Sequence, residues 1–261
     1  MPSPPWYVIS DAHIGVASAE RERALVAFLE ALEGRAHGLL IVGDLFDFWF
    51  EWRRVLPRHG VQVIGALARL VRRGTSVTWL AGNHDCWGGE ILTHDLGIRY
   101  VRDEWIDDVG AWRIAAHHGD GLRGDVDRGY RRLRAVLRHP LAIRAYRWLH
   151  PDLATRLALG TSAASRLRQA SDGGAGLRAV AAARLGTPDA PDVVLYGHSH
   201  VPALERIGRG IYANCGAWWA DPLYLRVDAE TLTLARWNGA LDTDAVTALP
   251  RRVAPAGTLP A

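Results

Sequence analysis

Lysine is absent: all 31 cationic side chains of the chain are arginines. Cysteine is nearly so, with only Cys86 and Cys215. Two distant thiols exclude a disulfide-stapled scaffold and a clustered-cysteine zinc site, and they fit a reduced, cytoplasmic setting. No run of about 18 or more apolar residues occurs, which excludes a transmembrane helix. The start, MPSPPWYVIS, has neither the basic region nor the long apolar core of a secretory signal. What remains is an ordinary globular composition. Of 261 residues, 49% are hydrophobic and 23% charged, and the mean hydropathy is -0.04. That is enough apolar material to bury a core, and too much for a disordered chain.

GC-rich coding accounts for an arginine-only complement, but not for where the arginines lie. Residues 121–170 hold 11 Arg and 3 Asp, a net +8, so the remainder of a chain of net charge +3 carries -5. A basic segment set into an acidic body favours an anionic partner, whether nucleic acid, a phosphorylated ligand or a membrane surface.

Hydrophobic periodicity predicts an apolar strand over Trp6 to Ile9, then a helix from about Ala19 to Leu32 with Leu25, Phe28, Leu29 and Leu32 on one face. A buried strand follows at Leu39 to Val42, a helix over Val61 to Arg72 closed by Gly74, and a third strand at Val77 to Leu80. Short strands are expected at Tyr100-Val101, Glu104 to Val109 and Trp112 to Ala116. Residues 123–186 read as helical with breaks at Pro140, Pro151 and Gly173-Gly174. Strands return at Val193 to Tyr196, Ala203 to Ile207, Ile211 to Asn214, Leu223 to Val227 and Leu232 to Arg236. The organisation expected is one domain over 1–248, with a basic helical cap at 121–186 inserted into it and a flexible tail at 249–261. Alternating strands and helices make the class α/β, in which ligand sites gather at the C-terminal ends of strands.

Five polar clusters stand at such strand ends: Asp11-Ala12-His13, Gly43-Asp44, Gly82-Asn83-His84-Asp85, His118-Gly119-Asp120 and Gly197-His198-Ser199-His200. A Gly-Asp pair by itself is usually a turn, and a solitary histidine is usually structural. Five recurrences in one topological position are another matter. Carboxylate, carboxamide and imidazole donors without thiolate suit borderline-hard divalent ions such as Mn, Fe, Zn or Ni. Seven or so donors imply two ions, with Asp44 as the natural shared carboxylate. Two metals activate a bridging water and hold both oxygens of an in-line displacement at phosphorus.

These clusters, in this order, resemble the calcineurin-like binuclear metallophosphoesterases, whose motifs are D-x-H, G-D, G-N-H-D, H-G-D and G-H-x-H. The resemblance covers residues 11–200 and implies a four-layer α/β/β/α sandwich. Carried over position by position, it implies that Asp11, His13, Asp44 and His200 hold one metal, and Asp44, Asn83, His118 and His198 the other. His84 would touch the phosphoryl oxygens and act in catalysis. Asp85 and Asp120 would orient the ligands. His117 would point to the opposite face of its strand and be structural.

The run Gly43-Asp44-Leu45-Phe46-Asp47-Phe48-Trp49 is similar to that of the UDP-2,3-diacylglucosamine pyrophosphatases of lipid A synthesis. So are the insertion directly after His118-Gly119-Asp120, the Asp127-Arg128-Gly129-Tyr130 motif and Gly216-Ala217-Trp218. In that branch the insertion caps the site and receives acyl chains, which implies Asp127, Tyr130 and Ser162 as ligand contacts. The lipid enzymes typically carry Arg where this chain has His84, a departure toward the commoner superfamily residue and toward a related phosphodiester or pyrophosphate substrate.

In the cap, Leu133, Val136, Leu137, Ile143, Tyr146, Trp148 and Leu149 interleave with Arg131, Arg134, Arg138, Arg144 and Arg147. Such helices occur as plain solvated surfaces. They also lie on anionic membranes with their arginine stems snorkelling, or hold acyl chains on an apolar inner face. Three readings follow: a two-metal hydrolase of a lipid-linked nucleotide, a nuclease or nucleotide phosphodiesterase, and a non-catalytic metal-binding scaffold.

Overall fold

The computed structural model describes residues 5–168 and 172–251, with backbone only for 161–168. Strand β1 (Trp6–Ile9), helix α1 (Ala19–Ala31), β2 (Gly38–Val42), α2 (Val61–Arg72), β3 (Ser76–Leu80) and β4 (Arg99–Val101) form the first half. The four strands pair in parallel in chain order. Every residue of β2 is buried, as an apolar strand covered on both faces must be. Ser18 caps α1 by accepting from the Arg21 amide, and Leu25, Phe28 and Leu29 are buried beneath it. Val63, Ala66, Leu67 and Leu70 do the same for α2, at the spacing of one helix face.

β5 (Trp105–Val109) and β6 (Trp112–His117) start a second sheet. The chain then leaves for the cap helices α3 (Arg128–Leu137), α4 (Pro140–Tyr146) and α5 (Pro151–Arg168). Pro140 and Pro151 sit at first helical positions, where a missing N–H costs nothing. After α6 (Ala175–Leu185), the strands β7 (Val193–Tyr196), β8 (Ala203–Ile207) and β9 (Gly210–Asn214) complete the second sheet in the order β5-β6-β7-β9-β8. β10 (Leu223–Val227), β11 (Thr231–Arg236) and β12 (Ala245–Pro250) return to the first sheet, antiparallel beside β1. Val8, Leu40, Leu80, Ile114, Leu195, Ala213 and Leu225 fill the space between the sheets. With α1 and α2 outside one sheet and α6 outside the other, the architecture is the four-layer α/β/β/α sandwich with a helical cap.

Two boundaries differ from those expected. α6 belongs to the sandwich and not to the cap: Leu177, Ala181 and Leu185 pack on Val194, Tyr196 and Tyr212. Gly173 and Gly174, both in the left-handed region, turn the chain back before it. At the other end Leu249 and Pro250 are not tail but pair with Leu232 and Thr231 in β12. Alternation in β12 is masked in sequence because most of its residues face solvent. The cap is pinned by aromatics: Phe48, Phe50 and Trp52 form a buried cluster against Ile143 and Tyr146. Trp87 stacks on Tyr146 and donates its indole N–H to the Leu137 carbonyl at 2.9 Å.

Candidate metal centre

The first three strands of the parallel sheet, with β6 and β7 of the other, end on one edge of the sandwich. The five polar clusters meet there. His200 Nε2 lies 3.2 Å from Asp11 Oδ1 and 3.3 Å from His13 Nε2. His118 Nε2 lies 3.2 Å from Asp44 Oδ2 and 3.1 Å from Asn83 Oδ1. Potential ligand atoms of Asp11, His13 and His200 lie within 4.8 Å of one another, as do those of Asp44, His118 and His198. A third such trio, His13, Asp44 and His84, overlaps both. Asp44 therefore stands between two donor sets.

The backbone is bent to achieve this. Asp11, His13, Asp44, His198 and His200 all adopt positive φ, between 45° and 61°. Side chains other than glycine seldom accept that conformation, and it gathers at functional sites. Flanking glycines supply clearance. A Cβ on Gly82 would sit 2.0 Å from Asp44 Oδ1, and one on Gly43 2.4 Å from His118 Nδ1.

Hydrogen bonds fix the imidazoles. His13 Nδ1 is 3.1 Å from Asp47 Oδ1 and His118 Nδ1 is 2.8 Å from the Val42 carbonyl. Each Nδ1–H has an acceptor, so each Nε2 presents its lone pair to the centre, the arrangement of metal-ligating histidines. His84 likewise points Nδ1 at the Asp47 carbonyl, 3.1 Å away. Asp85 is fully buried and accepts four N–H groups: Asp44 and Gly82 at Oδ1 (3.2 and 2.7 Å), Leu45 and the Trp79 indole at Oδ2 (2.8 and 3.1 Å). It thereby holds the Asp44 loop.

The electrostatics call for a cation. Asp11 and Asp44 are buried, and among the described residues no arginine pairs with either. Burial opposes ionisation of Asp44, but the neighbouring His118, His84 and His13 hold its carboxyl well below the usual range. Burial likewise opposes protonation of His118, and the Asp44 charge outweighs it, raising His118 well above an ordinary imidazole. His198 goes the other way, pushed down to about 4 by burial and the charge of His118. Two buried carboxylates, an amide oxygen and four imidazoles without thiolate fit divalent metal ions.

Asp120 accepts the Tyr130 hydroxyl at 2.7 Å and faces Arg134 and Arg138 at 3.6 and 3.8 Å, so it ties α3 to the centre. Those two arginines are only 18% and 17% exposed, unlike a solvated helix face. Asp127 accepts from Arg123, from its backbone amide at 2.8 Å and its guanidinium at 3.0 Å. Tyr130 does line a cavity. The side chain of Ser162 lies outside the described residues. His117 accepts the Gly119 amide at 2.8 Å. Sequence reasoning missed Asp47 as the partner of His13. The signal was a second aspartate three residues after Asp44.

Next to the centre, between it and the cap, lies a cavity of about 330 Å³. Asn83 and His84 form its floor, and Leu133, Leu137, Ala142, Ile143, Tyr146 and Leu157 its walls.

Residues 5–202 match the calcineurin-like phosphoesterase family. The chain belongs to it. A phosphoesterase from E. coli has the same fold, with a TM-score of 0.50 at 16% identity over 95% of this chain and all of the other. The UDP-2,3-diacylglucosamine hydrolase of Edwardsiella ictaluri is 30% identical over 87% of this chain and 89% of its own. Its counterpart from Porphyromonas gingivalis is 35% identical over 61% of this chain, a match spanning 63% of that relative's length, less than two thirds. As a calcineurin-like phosphoesterase, the protein is a metal-dependent hydrolase. Among the described residues no helix is long and apolar enough to cross a membrane.

Proposed function

We propose that the protein hydrolyses a phosphodiester or pyrophosphate bond in an acylated, lipid-linked nucleotide such as UDP-2,3-diacylglucosamine, a lipid A precursor. The observation that carries this reading is the apolar cavity whose floor is Asn83 and His84. A nucleic-acid substrate has no use for an aliphatic chamber beside the reacting phosphate, and acyl chains do. The names of the relatives point the same way.

Asp11, His13, Asp44 and His200 would hold one divalent ion, and Asp44, Asn83, His118 and His198 a second, manganese suiting these oxygen and imidazole donors. When bound, the ions supply a water nucleophile and neutralise charge at phosphorus. The chain does the rest. Asp47 and the Val42 carbonyl keep His13 and His118 in the ligating tautomer. Asp85 keeps the Asp44 loop in its strained bend. His84, with Nδ1–H held by the Asp47 carbonyl, presents Nε2 to the phosphoryl group. Protonated there, it donates to the developing charge and can pass a proton to the leaving oxygen, which a permanently charged arginine cannot do. Asp120, Tyr130, Arg134 and Arg138 hold the cap over the site.

The same reading seats the cap on the anionic inner face of a cytoplasmic membrane, where acylated substrates reside. Trp148 at 87% exposed and Leu141 at 68% are apolar groups suited to that contact.

The test compares UDP-2,3-diacylglucosamine, UDP-glucosamine, an oligonucleotide and a small aryl phosphodiester on the wild type and on Ala142→Phe. The acylated substrate should be preferred strongly, since each buried CH₂ contributes about 0.8 kcal/mol. The phenylalanine should abolish that preference by filling the chamber while sparing the aryl diester. Equal rates on acylated and unacylated nucleotide, or faster oligonucleotide cleavage, would refute the lipid substrate.

A further inference from the structure

On the outer side of α4 lies a second cavity, about 690 Å³, sharing only Ile143 with the apolar chamber. Arg53, Arg102, Arg138, Arg144 and Arg147 line it, and no carboxylate does. They come from three separate places: the loop after β2, the segment after β4, and the α3–α4 region. Arg138 is engaged by Asp103 at 3.2 Å and by the Arg102 carbonyl at 2.8 Å. The other four are exposed and form no ion pair among the described residues. Guanidinium groups gathered around one hollow repel each other.

A phosphate answers this. It brings negative charge, and its oxygens match the guanidinium fork. Ile143, Pro140 and Trp148 leave apolar wall beside the charges. We propose that this cavity is a second anion site, separate from the metal centre, which takes a phosphate group carried on an apolar or aromatic body. It uses none of the metal-centre residues, so it stands whatever bond the centre hydrolyses.

The test is the pair Arg144→Ala/Arg147→Ala, both exposed on the cap. The control is Arg132→Ala/Arg156→Ala, which removes the same charge from exposed cap positions outside the cavity. Both pairs are made in the wild type and in Asp44→Asn, so that phosphate held by the metal centre is accounted for. One probe is inorganic pyrophosphate followed by calorimetry. The other is sedimentation with phosphatidylcholine vesicles containing phosphatidylglycerol. The cavity pair should weaken binding about tenfold or more relative to the control, the loss of at least one charge-assisted hydrogen bond. The loss should persist in Asp44→Asn. Loss with pyrophosphate identifies a free phosphate compound as the ligand, and loss with vesicles alone identifies a lipid headgroup. Turnover of a small aryl diester should not change. Equal binding by the two pairs with both probes, or binding that disappears entirely in Asp44→Asn, overturns the proposal. If the alanine pair melts early, Arg144→Lys/Arg147→Lys, which keeps charge but not the fork, carries the same comparison with a smaller expected loss.

Discussion

Replacing Asp85 by asparagine removes one oxygen and one charge from a side chain that touches no substrate, yet the structure predicts a large effect. Both carboxylate oxygens are used twice, Oδ1 by the Asp44 and Gly82 amides and Oδ2 by the Leu45 amide and the Trp79 indole. Whichever way the amide of Asp85→Asn turns, its NH₂ faces two N–H donors that have lost their acceptor. Each unsatisfied buried group costs about 1–3 kcal/mol, so the variant should lose about 2–6 kcal/mol. At roughly 2–4 °C per kcal/mol for a domain near this size, Tm should fall by roughly 5–20 °C. The comparison is best made at about pH 8, because burial and the Asp44 charge push the Asp85 carboxyl up to about 7. Thermal melting with and without divalent metal reads the stability, and metal analysis after dialysis reads the centre. An Asp85→Asn protein that melts within about 2 °C of wild type and retains its metal would show that these four hydrogen bonds do not hold the Asp44 loop.

Asp44→Asn should lower metal content and collapse hydrolysis of every substrate, because this carboxylate stands between both donor sets; near-normal turnover of an aryl phosphodiester would sink the two-metal reading. His84→Ala should spare metal content while cutting turnover by roughly 10²–10⁴-fold. A loss confined to poor leaving groups marks His84 as a proton donor, an equal loss on good and poor ones marks charge stabilisation, and a loss of metal would make it a ligand instead. Metal affinity should fall as pH falls, because the raised His118 and His200 carry protons that an ion must displace. Calorimetry in buffers of different ionisation enthalpy should detect proton release near neutral pH, and none would contradict those shifts.

The strands other than β12, the helices of both outer layers and the seven residues proposed as ligands can be read in the sequence. Buried parallel strands must be apolar, helix faces must repeat at 3.6 residues, and strained strand ends must be built from Gly, Asp, Asn and His. Those constraints act within a few residues, so a linear reading recovers them. What local pattern could not decide was partnership across the chain. Asp47 serving His13, Asp120 accepting from Tyr130 of the cap, and α6 joining the second sheet depend on which distant surfaces meet. The cap shows this most clearly. Its alternating arginines and apolar residues are compatible with a solvated face, a membrane face or a groove. Only the packing of Tyr146 and Ile143 on Phe48, Phe50 and Trp52 divides them into an aliphatic chamber on one side of α4 and an arginine-lined hollow on the other. Amphipathicity gives a helix two faces, and tertiary contact decides what each face meets.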